Sequence, residues 1–134
     1  MNIVAKCLIG LVILAQMAAL IIEMFLWETQ GKASFGAVMA AELFEKTTVL
    51  AANQGLYNGF LAAGLIWALT ISDMAWARRV ALFFLGCVCV AGLYGTFGPR
   101  GDEMFWTPFR TQTIPSALAM AAILIDRSHG GARG

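Results

Sequence analysis

The chain has 134 residues, 60% of them hydrophobic and 13% charged, with a formal net charge of +1. A soluble domain carries about 25% charged residues, so this composition cannot surround an apolar core with a polar surface, and a lipid bilayer is the expected solvent. The few basic residues form no cluster or stripe, which argues against a nucleic-acid partner.

The expected fold is all-α: a polytopic, antiparallel four-transmembrane-helix bundle with spans at about 3–27, 47–71, 80–97 and 112–125. Spans of roughly 20 residues each leave no room for a second domain, so residues 1–134 read as one unit. At the N-terminus, Lys6, the apolar run 7–15 and the small residues Ala18 and Ala19 have the order of a secretory signal. Apolar residues continue through Leu20, Ile21 and Ile22 to Trp27, long enough to span, and the segment is read as a retained helix. Glu23 lies 17 residues beyond Lys6, roughly 25 Å along a helix, just inside the outer interface. Gln16 sits seven residues earlier on the same face. An acid at mid-membrane costs about 2.5–3.5 kcal/mol and less near an interface, so Glu23 either snorkels to the headgroups or serves as a pocket carboxylate.

In the first loop Phe35, Val38, Met39 and Leu43 recur at helical spacing. They predict an interfacial helix or an early extension of the second span, with a solvated loop as the plain alternative. The second span carries LAANQGLYNGFLAAGL. With Gly55 at zero on a helical wheel, Asn53, Tyr57, Gln54 and Asn58 fall at about 160°, 200°, 260° and 300°. Gly55, Gly59, Ala62 and Ala63 form a small-residue ridge on another face, suited to close helix approach. One polar residue is readily explained as interhelical glue; four in six positions point to a pocket, although glue remains the alternative.

The third span follows a short connection carrying Asp73, Arg78 and Arg79, and leads to Tyr94 and Thr96. Cys87 and Cys89, two apart, face different sides of a helix and read as packing residues, as does Cys7. The fourth span brings Gln112, Thr113 and Ser116, with Pro108 and Pro115 bending or beginning the helix. Lys6, Arg78, Arg79, Arg127 and Arg133 fall on one side and Lys32, Lys46, Arg100 and Arg110 on the other. The Arg78–Arg79 pair decides this small bias and puts both termini in the cytoplasm. Trp27 and Trp106 mark the outer interface, Trp67 and Trp76 the inner one.

Threading the spans antiparallel gathers Glu23, Asn53, Gln54, Tyr57, Asn58, Tyr94 and Gln112 in the outer half, above an aliphatic and aromatic inner half. The expected site is a cup open outward or sideways: Glu23 as catalytic base or anchor, with Gln16, Trp27, Asn53, Gln54, Tyr57, Asn58, Tyr94 and Gln112 as ligand-binding residues, and Gly55, Gly59 and Ala63 packing helices. No metal or other cofactor is expected. The one histidine, His129, lies in the C-terminal tail, which excludes haem held by paired imidazoles, and no phosphate-binding glycine loop, serine-nucleophile or zinc motif is present.

With EMFLW at 23–27 and VLAANQGLYNGFLAAGL at 49–65, the chain resembles the bacterial small-membrane-protein family termed domain of unknown function 1304. The resemblance covers nearly the whole length and implies four spans in a bacterial cytoplasmic membrane, with no established activity. Its hallmark positions fall on Glu23, Phe25 and Trp27, then on Asn53, Gln54, Gly55, Tyr57, Asn58 and Gly59, and more loosely on Gln112 and Pro115. The family's glycine after that glutamine is replaced here by Thr113.

Three functions remain open: a binding protein or enzyme taking a small amphipathic or lipophilic molecule into the cup, a proton-coupled small-molecule exporter, and a membrane subunit or assembly factor of a larger complex. A homodimer through the small-residue ridge is compatible with each.

Overall fold

The computed structural model describes residues 1–98 and 106–131, with side chains to Asp126. Pro99, Arg100, Gly101 and Arg133, and the side chains of Arg127 and His129, lie outside the described residues. No strand occurs among the described residues. Four long helices dominate: α1 (Ile3–Phe25), α4 (Thr48–Thr70), α5 (Met74–Phe97) and α6 (Ile114–Gly131). Two single-turn helices, α2 (Lys32–Phe35) and α3 (Leu43–Lys46), lie between α1 and α4.

Each boundary has a local cause. Asn2 caps α1 by accepting the Ala5 amide at 2.8 Å. The helix ends where Leu26 leaves helical dihedrals, at φ −126° and ψ 24°. A π-helical turn, Trp27–Gly31, follows, closed by the Gly31 amide on the Leu26 carbonyl at 2.9 Å. Asp73 caps α5 with one carboxylate oxygen, accepting the amides of Ala75 and Trp76 at 2.8 and 2.9 Å. This cap starts α5 at Met74, six residues before the apolar run beginning at Val80. Arg78 and Arg79 therefore lie in the second turn of a helix and not in a loop; the connection is only Ile71, Ser72 and Asp73.

The interfacial helix expected through Phe35, Val38, Met39 and Leu43 does not form. α2 stops at Phe35, and Val38 and Leu43 are exposed. The buried residue is Phe44, which packs with Trp27 and Ala51. Trp27 draws the segment inward: its indole lies 5.4 Å from Phe35 and 5.1 Å from Phe44 between ring centroids, and its N–H donates to Thr47 Oγ1 at 3.0 Å. A π-helical turn at Phe109–Thr113 leads into α6. Pro115, second residue of α6, sits where a missing N–H costs little. The Ser116 hydroxyl donates to the Gln112 carbonyl at 2.6 Å, holding the junction.

α1 packs on α4 and α6, and α5 packs on the same two helices. One end of the molecule gathers the end of α1, the start of α4, the end of α5 and the entry to α6, as the neighbours of Gly55, Gly92 and Gly95 require. At the other end the Arg78 guanidinium meets Asp126 at 2.6 Å. Between them lies a dry core that includes Ile9, Val12, Leu65, Leu85, Val88 and Ile123. The outward faces are also apolar: Leu14 is 66% exposed, Phe83 66% and Val90 65%. α1 and α5 are long and apolar enough to cross a membrane. In α4 an equally long helix is interrupted by Asn53, Gln54, Tyr57 and Asn58.

α1 and α4 approach closely at Gly55. A Cβ on Gly55 would stand 3.0 Å from the Leu20 carbonyl oxygen and 3.1 Å from the Met24 amide nitrogen, both backbone atoms. On Gly59 it would meet the Leu20 side chain at 2.5 Å. The ridge therefore continues through buried Ala62, while Ala63, expected to pack, is exposed. On another face of α4, Gly64 receives the Phe84 ring.

Replacing Gly55 with alanine should lower stability by about 1–3 kcal/mol, because backbone cannot yield to the added methyl. Gly86→Ala on α5, where a Cβ meets nothing within 4 Å, should be neutral or stabilise by about 0.4–1 kcal/mol. Thermal unfolding in detergent measures both, and the reverse order would remove the close approach at Gly55. The hydrogen bond from Arg78, more than any other influence, holds Asp126 below the ordinary carboxylate range. A lowered folded value means that the pair's contribution is present above the unfolded pKa of about 3.9 and is lost as pH falls through the folded value. Asp126→Asn should accordingly be less stable than the parent at pH 7, with the gap closing as pH falls below the unfolded pKa of about 3.9; a gap independent of pH would mean that the pair is not formed.

Candidate functional site

At the end where α1 meets the start of α4, the helices diverge around a cavity of about 570 Å³. Its wall is built from α1, α4 and α5, from the segment that leads into α6, and from the aromatic segment between α1 and α4, which contributes Ser34 and Phe35. Glu23 enters from the last turn of α1, Gln54, Tyr57 and Asn58 from the early turns of α4, and Tyr94 from the end of α5. The entry to α6 supplies Thr107, Pro108, Thr111 and Gln112. Small residues clear the space, with Ala15, Ala18 and Ala19 on α1 and Ala91 and Gly95 on α5.

The polar centre is the Glu23–Asn58 pair. The Asn58 amide nitrogen donates to Glu23 Oε2 at 2.7 Å. The contact follows from Gly55: its close seat on Leu20, Glu23 and Met24 brings the next residues on that flank of α4 against the α1 carboxylate. Oε1 of Glu23 accepts no hydrogen bond among the described residues, and the side chain lines the cavity. Asn58, with its NH₂ committed to the carboxylate, keeps its carbonyl oxygen as an acceptor.

Three residues expected to bind a ligand lie elsewhere. Asn53 is exposed and outside the cavity wall. Trp27 is buried in the aromatic cluster and reaches the cavity only through Phe35. Gln16 is fully buried, on the inward face of α1 that carries Ala5, Ile9 and Val12, and both of its amide atoms are without a hydrogen-bond partner. It is not part of the wall, although its neighbour Ala15 is. Glu23, Gln54, Tyr57, Asn58, Tyr94 and Gln112 are brought together as lining.

The sequence reasoning missed Ser34, Phe35, Thr107, Pro108 and Thr111 as lining residues. For Pro108 the signal was available in Gly95: a Cβ there would lie 3.0 Å from the proline ring, so the glycine admits it. Gly92 does the same for Thr113, whose hydroxyl donates to the Cys89 carbonyl at 3.3 Å. Among the described residues no cluster of three or more His, Cys, Asp or Glu could hold a metal ion. All three cysteines are free thiols.

A family profile described as "Protein of unknown function (DUF1304)" matches residues 10–124, and the chain belongs to that family. No curated protein and no solved structure matches it.

A double-mutant cycle on Glu23→Ala and Asn58→Ala should give a coupling energy of about 0.6–1.7 kcal/mol, the range of hydrogen bonds between helices in membranes. Unfolding in bicelles supplies the four free energies. Additivity within about 0.3 kcal/mol would mean that the two side chains do not interact.

Proposed function

We propose that this DUF1304 protein is an integral membrane protein whose four long helices cross the bilayer as an antiparallel bundle and hold a small amphipathic or lipophilic molecule in the cavity at Glu23. The observation that carries the reading is a carboxylate lining a cavity of small-molecule size among otherwise apolar helices. Cavities of about 300–1,000 Å³ lined by small and apolar residues with a few convergent polar groups are the usual form of small-molecule sites. The apolar outward faces of all four helices support lipid as the solvent. The aromatic residues add to this: Trp67 and Trp76 are exposed toward one end, Trp106 toward the other, as in interfacial belts. In this reading the cavity opens to the outer leaflet of a bacterial cytoplasmic membrane, and both termini face the cytoplasm.

Two features favour binding over transport or assembly. The dry core from Ile9 to Ile123 closes the molecule beneath the cavity, whereas alternating access needs a site near the midplane served from both sides. The small-residue ridge at Gly55 and Gly59 is used within the chain, against Leu20 and Met24, which leaves it no free surface for a partner subunit. Glu23 serves as anchor, or as base if the bound molecule reacts, and Gln54, Asn58 and Gln112 orient its polar groups.

Native mass spectrometry of protein extracted in lipid nanodiscs tests this. The parent should carry a small molecule of discrete mass, and Glu23→Gln, which retains the shape and a hydrogen-bonding group, should lose at least tenfold in its occupancy while keeping its melting temperature. Equal occupancy in parent and variant, or none in the parent, would overturn the assignment.

A further inference from the structure

The wall of the cavity is unequally charged. Among the described lining residues Glu23 is the one acid, and there is no Lys, Arg or His. A second anion brought beside this carboxylate would meet repulsion that no cation among the described lining residues offsets. A fatty acid or a phosphate headgroup is therefore a poor occupant. An uncharged alcohol would satisfy one lone pair of the carboxylate and leave its charge uncompensated.

Among the described residues Glu23 Oε1 accepts no hydrogen bond, and its partner oxygen is occupied by the Asn58 NH₂. Both side chains line the cavity, so the wall offers two acceptors, Glu23 Oε1 and the Asn58 carbonyl oxygen, to a donor-rich group. An ammonium supplies three N–H donors and the compensating charge together. The alanine and isoleucine wall at Ala18, Ala19 and Ile22 suits a hydrocarbon tail.

Resting on the binding reading above, we infer that the cavity takes a primary alkylammonium, its N–H groups on Glu23 Oε1 and Asn58 Oδ1 and its chain along the α1 alanines.

Calorimetric titration of the full chain in phosphatidylcholine nanodiscs, with empty nanodiscs as the blank, tests it with four probes at pH 7: hexylammonium, hexyltrimethylammonium, hexanol and hexanoate. Hexylammonium should saturate at one per chain and bind at least tenfold more tightly than each of the others. The trimethyl probe loses affinity because it keeps the charge but has no N–H to donate. Glu23→Gln should bring hexylammonium down to the level of hexanol, while Glu23→Asp, which keeps the charge, should retain a preference for the amine over the alcohol. If hexanol or hexanoate binds one per chain as tightly as hexylammonium, the ammonium assignment is overturned and the binding site itself stands. If the trimethyl probe matches hexylammonium, charge alone is recognised and the donor geometry proposed here is wrong. If no probe saturates, both the assignment and the binding reading fail.

Discussion

The absence of a side chain at Gly55 is the constraint on which the rest of the molecule turns. Because the α4 backbone rests directly on Leu20, Glu23 and Met24, α1 and α4 approach more closely than two ordinary helices can. That approach fixes the rotation of α4 about its axis, and the rotation decides which of its polar residues meet α1. Asn58 falls against Glu23 and bonds it at 2.7 Å, while Gln54 and Tyr57 turn toward the space between the helices. A larger residue at position 55 would push the helices apart and separate the carboxylate from its one donor.

The same wheel explains how far the sequence could be read. It put Asn53, Tyr57, Gln54 and Asn58 on one arc about 140° wide, and an arc of that width is broader than one cavity can take up. The structure divides it: Gln54, Tyr57 and Asn58 line the cavity, while Asn53, at one edge of the arc, lies outside the wall. The length of the continuous apolar runs located α1 and α4 to within a few residues. It misjudged the start of α5, where the Asp73 cap outweighs the polarity of Arg78 and Arg79. The segment after α1 was illegible for another reason. Its structure depends on the Trp27 indole folding over Gly31 and taking Phe35 and Phe44 as neighbours, a tertiary event that leaves no repeat in the sequence.

The entry to α6 shows a similar division of labour. Pro108 and Pro115 signalled an irregular start, and a π-helical turn between them is the result. Its position, however, is set by α5, because Gly92 and Gly95 are the places where Thr113 and Pro108 can approach. The turn brings Thr111 and Gln112 to the cavity wall. Thr113, which follows Gln112, is held there by its hydroxyl bond to the Cys89 carbonyl.

Stability and the candidate site draw on different residues, and α1 carries both on one face. Ala5, Ile9 and Val12 are packed into the dry core, and one turn further Gln16 is just as buried with neither amide atom bonded. A buried amide without a partner is destabilising relative to an apolar side chain of the same shape. Beyond it, Ala19 and Glu23 form the cavity wall. Along a single helical face the chain thus passes from groups that hold the fold together to groups that cost it stability, and the change falls at Gln16. Polar groups set against local stability mark the places where folding alone does not account for the residue, and here they converge on the space around Glu23.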